Sequence, residues 1–160
     1  MATVNGVTTA PSVYGQIVAT TDDAKIAGGG GNDVLYSTGG NATYYGGAGS
    51  DTFVITQASL LKSDPTTNGY TAEAVIYDFA NAGIAWTATN SDFIRLVGFG
   101  TSAQGTTLTF DHYGDADGTH TVDPTRQYYT IHNGVTGQDF EIYVHSLNGS
   151  TLVLGDYNFY

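Results

Sequence analysis

The chain carries one six-residue pattern, Gly-Gly-x-Gly-x-Asp, at residues 28–33 and again at residues 46–51, eighteen residues later. The sequence around these copies falls into an unbroken register of nine. Residues 28–36 read GGGGNDVLY, 37–45 STGGNATYY and 46–54 GGAGSDTFV; backwards, 19–27 read ATTDDAKIA and 10–18 APSVYGQIV. The eighth position of the five blocks is Ile17, Ile26, Leu35, Tyr44 and Phe53. A period of nine cannot sustain a helical stripe. It can make a tight turn of about six residues followed by a strand of about three whose middle side chain points inward. Two such units form one coil with a strand on each face, so eighteen residues is one lap, and the turns at 28–33 and 46–51 become vertical neighbours. A glycine-rich linker is the plain alternative, but a linker would not keep Leu35, Tyr44 and Phe53 in phase.

The same spacing defines a candidate metal site. Gly28, Gly29, Gly31, Gly46, Gly47 and Gly49 permit backbone conformations that turn carbonyl oxygens into the gap between the two turns, and Asp33 and Asp51 add carboxylates. An oxygen cage without His or Cys selects a hard cation, and its flexible geometry suits Ca²⁺ better than Mg²⁺. The middle block departs from the pattern, with Ser37 and Thr38 for the paired glycines and Ala42 for the Asp. On that opposite flank Asp22, Asp23 and Asn41 are the available oxygens for a second, weaker ion.

Composition agrees with a β-rich chain. Of 160 residues, 22 are Gly and 12 are Tyr against seven Phe, which favours strands and turns over helices. The length suits one domain. Fifteen acidic residues face four basic ones, Lys25, Lys62, Arg95 and Arg126, for a net charge of -11. That balance argues against nucleic acid and against anionic membrane surfaces. There is no Cys, so no disulfide can staple the fold, and a metal is the other obvious cross-link. Residues 1–15 have neither a basic nor an apolar signal region and no run reaches membrane-spanning length; on that ground alone a cytoplasmic acidic β-protein is expected.

The two intact blocks resemble the repeat-in-toxin (RTX) nonapeptide GGxGxDxUx. The stretch EAVIYDFANAG followed by NSDFIRLVGFG (residues 73–83 and 90–100) resembles the segment that follows RTX repeats in serralysin-type proteases and in the R-modules of mannuronan C5-epimerases, and the strands beyond it loosely resemble the close of such an R-module. The resemblance implies an all-β fold: a short parallel β-roll over residues 10–54, about two and a half coils, continuing into a β-sandwich-like part over 55–160, the whole forming one domain. It implies that Asp78 and Asp92 ligate a further Ca²⁺, with Arg95 standing where the family has an Asp and expected to pair with a neighbouring acid. It also implies export without an N-terminal signal, by type I secretion guided by residues 146–160, to the cell surface or medium.

Nothing in the sequence resembles a catalytic constellation. His112, His120, His132 and His145 show no ligand spacing. The GDADG segment carries Asp115 and Asp117 but fails as an EF-hand, since Tyr113 and Pro124 would fill its first and last positions, and reads as a polar turn. Trp86 reads equally as a core cap or a contact residue. Two functional expectations follow. In the first, the chain is a non-enzymatic, extracellular Ca²⁺-binding protein that folds on Ca²⁺ and pairs with further copies of itself through sheet edges, as a surface-layer, filament or biofilm-matrix component. In the second, it is a polysaccharide-binding R-module of an epimerase-like secreted enzyme, taking an alginate-type polyanion through Ca²⁺ bridging or through stacking on Tyr44, Tyr45, Tyr128 and Tyr129 in place of the missing basic groove.

Overall fold

The computed structural model describes residues 1–8, 16–61, 73–84, 91–115 and 121–160. The readings of Trp86, His120 and the Asp117 end of the GDADG turn lie outside the described residues. The chain is all-β. After a two-strand hairpin, β1 (Thr3–Val4) and β2 (Val7–Thr8), successive strands alternate between two sheets. One sheet receives β3 (Gln16–Ala19), β5 (Val34–Ser37), β7 (Thr52–Thr56) and, later, β9 (Phe93–Val97); the other receives β4 (Lys25–Gly30), β6 (Thr43–Ala48) and β8 (Ala74–Phe79). All neighbours within these two series are parallel.

Each lap returns to the same register, because the nine-residue spacing repeats. Ile17 pairs with Leu35, Leu35 with Phe53 and Phe53 with Ile94. On the facing sheet Ile26 pairs with Tyr44 and Tyr44 with Ile76. These side chains point between the sheets and are all 0–1 % exposed. Burying an aliphatic or aromatic side chain of this size stabilises by about 1.5–3 kcal/mol, which compensates for strands of only four to six residues.

The parallel stacking runs past residue 54, where the repeat itself ends. One lap of β8 and β9 follows a four-residue helix (Gln57–Leu60) whose N-cap, Thr56, accepts the Ser59 N–H. The chain then makes an antiparallel excursion through β10 (Thr107–Asp115) and β11 (Val122–His132) before β12 (Asp139–Ser146) lies parallel on β8 and β13 (Tyr157–Phe159) lies parallel on β9. The result is an eight-stranded mixed sheet, ordered β10-β11-β12-β8-β6-β4-β1-β2, over a five-stranded parallel sheet, ordered β13-β9-β7-β5-β3. Of residues 146–160, Ser146 ends β12 and Tyr157–Phe159 forms β13. No helix among the described residues is long and apolar enough to cross a membrane.

Strand parity separates the tyrosines that composition alone had grouped together. Tyr44 and Tyr129 face the core, 1 % and 2 % exposed, so they are not available for stacking on a ligand. Buried Tyr129 satisfies its hydroxyl by donating to Gln127 Oε1 at 2.5 Å and accepting the Leu152 N–H at 2.8 Å, as a buried phenol must. Their neighbours Tyr45 and Tyr128 point outward.

Because Leu35 lies between Ile17 and Phe53 in a fully buried column, Leu35→Ala should cost about 3 kcal/mol of unfolding free energy in a urea titration. A loss below about 1 kcal/mol would show that the column is not packed as described.

Candidate metal centre

Along one flank, turns join the eight-stranded sheet to the five-stranded one: 28–33 between β4 and β5, 46–51 between β6 and β7, and the longer connection from β8 to β9. Three strands of the smaller sheet, β5, β7 and β9, are entered through an aspartate. Asp33, Asp51 and Asp92 immediately precede Val34, Thr52 and Phe93, which pair with one another in register. This places the three carboxylates one above the next. The Asp33 N–H donates to Asp51 Oδ1 (2.8 Å) and the Asp51 N–H to Asp92 Oδ1 (2.9 Å). A second column runs beside it, with the Ser50 N–H donating to Asn32 Oδ1 (2.9 Å) and the Ser91 N–H to Ser50 Oγ (3.0 Å). These side chains accept turn amides that the sheets cannot pair.

The accounting leaves two oxygens over. Asp33 Oδ2 and Asp51 Oδ2 are buried without a hydrogen-bond partner, and Asp51 as a whole is 1 % exposed. The glycines explain where they point. Asp33 Oδ2 and the Gly46 carbonyl oxygen each lie 2.6 Å from the position a Cβ on Gly28 would occupy, and Asp51 Oδ2 crowds Gly46 in the same way. Only glycine at both positions leaves room for a carboxylate and a carbonyl to converge. Gly29, Gly31, Gly47 and Gly49 sit in the same turns at φ of 98°, 104°, 95° and 132°, the left-handed half of the map that favours glycine.

A buried carboxylate oxygen without a donor is costly, and a cation between the turns is the partner that this donor set suits. The donors are all oxygen, two carboxylates and backbone carbonyls. No group of three or more acidic, His or Cys side chains gathers in a metal-holding cluster among the described residues; the oxygens that do converge, carboxylate and the Gly46 carbonyl, are the hard donors that Ca²⁺ takes. The residues present therefore fit the ion that the spacing of the repeats suggests.

The structure gives the remaining predicted ligands different work. Asp78 follows Gly28 and Gly46 in the same column, and its two oxygens accept the Gly46 N–H (2.8 Å) and Gly47 N–H (2.9 Å). Asp92 spends its second oxygen on the Ala80 N–H (2.8 Å). Both residues hold the glycine turns in place, and every oxygen they carry already has an amide. On the opposite flank Asn41 Oδ1 accepts the Glu73 N–H (3.0 Å), Asp22 Oδ1 accepts the Gly40 N–H (2.8 Å), and Asp23 is solvent-exposed and donates its own N–H to the Gly40 carbonyl (2.9 Å). Asn5, Asp23 and Asn41 share a left-handed φ of 51°, 56° and 53°. A Cβ on Gly39 would collide with the Thr21 carbonyl, so these turns pack backbone to backbone. On this flank the Asn41 and Asp22 side chains, expected as ligands of a second ion, each accept a backbone amide of a neighbouring turn. Arg95 forms no ion pair among the described residues; its guanidinium lies over the Tyr160 ring, 4.6 Å from the centroid.

Sequence reasoning missed Asp156, which precedes β13 as the other aspartates precede β5, β7 and β9. Its Oδ2 accepts the Gly83 and Val153 N–H groups, both at 2.8 Å. The signal was an Asp directly before an apolar strand, but without the nine-residue spacing it did not stand out.

Burial pushes the Asp33 carboxyl above the ordinary carboxylate range, Asp51 up to about 6 and Asp92 up to about 7. A carboxyl whose pKa is higher folded than unfolded binds its proton more tightly in the native state, so stability rises as pH falls from about 7 toward 4. Metal-free protein should therefore be more stable at pH 5 than at pH 8, by more than the ~1.4 kcal/mol that one unit on one carboxyl represents. Circular dichroism in chelator across that range tests this, and a β-signal that falls on acidification would contradict the burial described.

Searched against protein-family models and against curated protein sequences, the chain matches neither a family model nor a curated protein.

Proposed function

We propose that this chain is a non-enzymatic, extracellular Ca²⁺-binding protein whose roll folds as the ion enters between the turns at 28–33 and 46–51. The observation that carries the reading is the pair of buried, unpartnered carboxylate oxygens of Asp33 and Asp51, one lap apart and facing glycine turns. Asp33, Asp51 and the carbonyls of the surrounding glycines, Gly46 among them, would hold the ion. The resemblance of these turns to RTX repeats supports the same ion and supports export before folding. So does the net charge of -11: self-repulsion opposes compaction where Ca²⁺ is scarce, and mass action favours the native state where it is abundant.

Self-assembly as a surface-layer, filament or matrix component belongs to the same reading. The five-stranded sheet runs in one direction from β3 to β13, so the outer edge of β13 in one copy and of β3 in another offer complementary parallel pairing. Such a contact is head-to-tail and does not close on itself.

Chelated protein titrated with Ca²⁺, with circular dichroism and light scattering followed together, should gain β-signal and particle size in step. Asp33→Ala and Asp51→Asn should each require at least about tenfold more Ca²⁺ for the same signal, a loss of ~1.4 kcal/mol. In chelator at pH 8, Asp51→Asn should be no less stable than the parent, since it removes a buried charge. A β-signal indifferent to Ca²⁺ would refute the ion site; folding without growth in size would refute assembly and leave the ion site standing.

A further inference from the structure

The outer face of the eight-stranded sheet carries a cleft of about 310 Å³ that plays no part in the turns. Two rows of outward side chains cross it, because residues two apart on a strand share a face; Val75, Tyr77, Arg126, Tyr128, Tyr143 and His145 line the cleft, and Tyr45 and His112 extend the rows past its ends. One row follows the pairing Val75–Tyr143–Tyr128–His112 across β8, β12, β11 and β10. The other includes Tyr45 and Tyr77 on β6 and β8, then His145 and Arg126 on β12 and β11, with His145 Nδ1 2.7 Å from the Tyr77 carbonyl. The rings form a continuous band: Tyr45 on Tyr77 (5.1 Å), Tyr77 beside Tyr143 (6.3 Å), Tyr143 edge-on to Tyr128 (5.1 Å) and Tyr128 stacked on His112 (4.6 Å). Five adjacent strands at their usual spacing make that band roughly 19 Å long. Tyr77 remains 45 % exposed.

We propose that this cleft binds a neutral polysaccharide chain. Three observations select that occupant. First, the length of the band calls for an extended ligand, since a compact small molecule would engage one or two of its rings. Second, the charges flanking the cleft have both signs. Arg126, itself 3.5 Å from Asp123, opposes a cationic ligand. Glu73 lines the cleft, and Glu141, whose carboxyl is raised first by burial and then by the nearby Glu73 charge, adds to an acidic lip that opposes a polyanion. Third, the polar lining holds both kinds of hydrogen-bonding group: Glu73 only accepts when ionised, Arg126 only donates, and tyrosine hydroxyls do both. Sugar hydroxyls match all three, and the apolar C–H faces of pyranose rings pack on aromatic rings. A polyproline helix would also fit an aromatic groove, but with no N–H it offers acceptors without donors. The cleft is built by strands, so the inference stands apart from the ion site.

The test is electrophoresis of the full chain in native gels containing Ca²⁺ and a soluble polysaccharide: hydroxyethylcellulose, mixed-linkage β-glucan or galactomannan, with alginate as the polyanion and poly-L-proline as the peptide comparison. At least one neutral polysaccharide should retard the protein, with alginate and poly-L-proline having little effect. Tyr143→Ala should weaken that retardation at least about tenfold. Tyr77→Ala, at a more exposed position that folding tolerates, should weaken it in the same direction, and Tyr160→Ala on the opposite sheet should leave it unchanged. Retardation by none of the neutral polymers, by alginate or poly-L-proline alone, or equally in the parent, Tyr77→Ala and Tyr143→Ala would overturn the proposal.

Discussion

The architecture depends on one interaction repeated along one flank: an aspartate carboxylate accepting the backbone N–H of the aspartate one lap earlier. Asp92 receives Asp51, and Asp51 receives Asp33. The strands these residues introduce are short, and the chain has no cysteine with which to tie successive laps covalently. The carboxylate contacts thus add directional bonds between laps where the sheets end. They also gather negative charge in a poorly solvated column, which is why burial raises the carboxyls of Asp33, Asp51 and Asp92 together. The same contact that aligns the laps makes the flank unfavourable when nothing positive is present.

The two flanks of the roll show how small sequence differences divide structure from site. On the Asn5–Asp23–Asn41 flank, Asx residues in left-handed conformation shape the turns, the Asn5 and Asn41 side chains accept the Lys25 and Glu73 N–H groups, and the turn backbones touch. On the glycine flank the turn backbones also touch, Gly47 against the Gly29 carbonyl and Gly49 against the Gly31 carbonyl, and Asn32, Ser50 and Asp78 add side-chain bridges, but two carboxylate oxygens are left buried without a partner. The first arrangement leaves no buried side-chain oxygen without a partner among the described residues. The second has surplus acceptors, and surplus buried acceptors are what a cation site requires.

Strand β8 connects these themes. Its inward Ile76 continues the core column, its outward Tyr77 forms part of the aromatic band, and its last turn of chain delivers Asp78 to the amides of Gly46 and Gly47. One short strand therefore contributes to the core, to the outer surface and to the glycine turns where we propose the ion. Ordering of the glycine turns and ordering of the outer face are consequently linked through the placement of a single strand, even though the two sites share no residue.

The spacing of nine was enough to identify the column from Ile17 to Phe53, the alternation between two sheets and the stacking of Asp33 over Asp51, because each lap there has the same length and register is then a matter of counting. Counting stops working after residue 54. Ile76 follows Tyr44 by 32 residues and Ile94 follows Phe53 by 41, yet both continue the same columns, and only three-dimensional pairing shows it. Composition likewise supplied the tyrosines but not their sides: Tyr44 and Tyr129 went to the core, Tyr45 and Tyr128 to the surface, according to strand parity. The sequence by itself determined which residues recur at equal intervals, and hence the roll and its glycine turns. Tertiary structure decided which carboxylate oxygens are consumed by backbone amides and which remain free, since that depends on where amides from other laps arrive, a distance that no local spacing encodes.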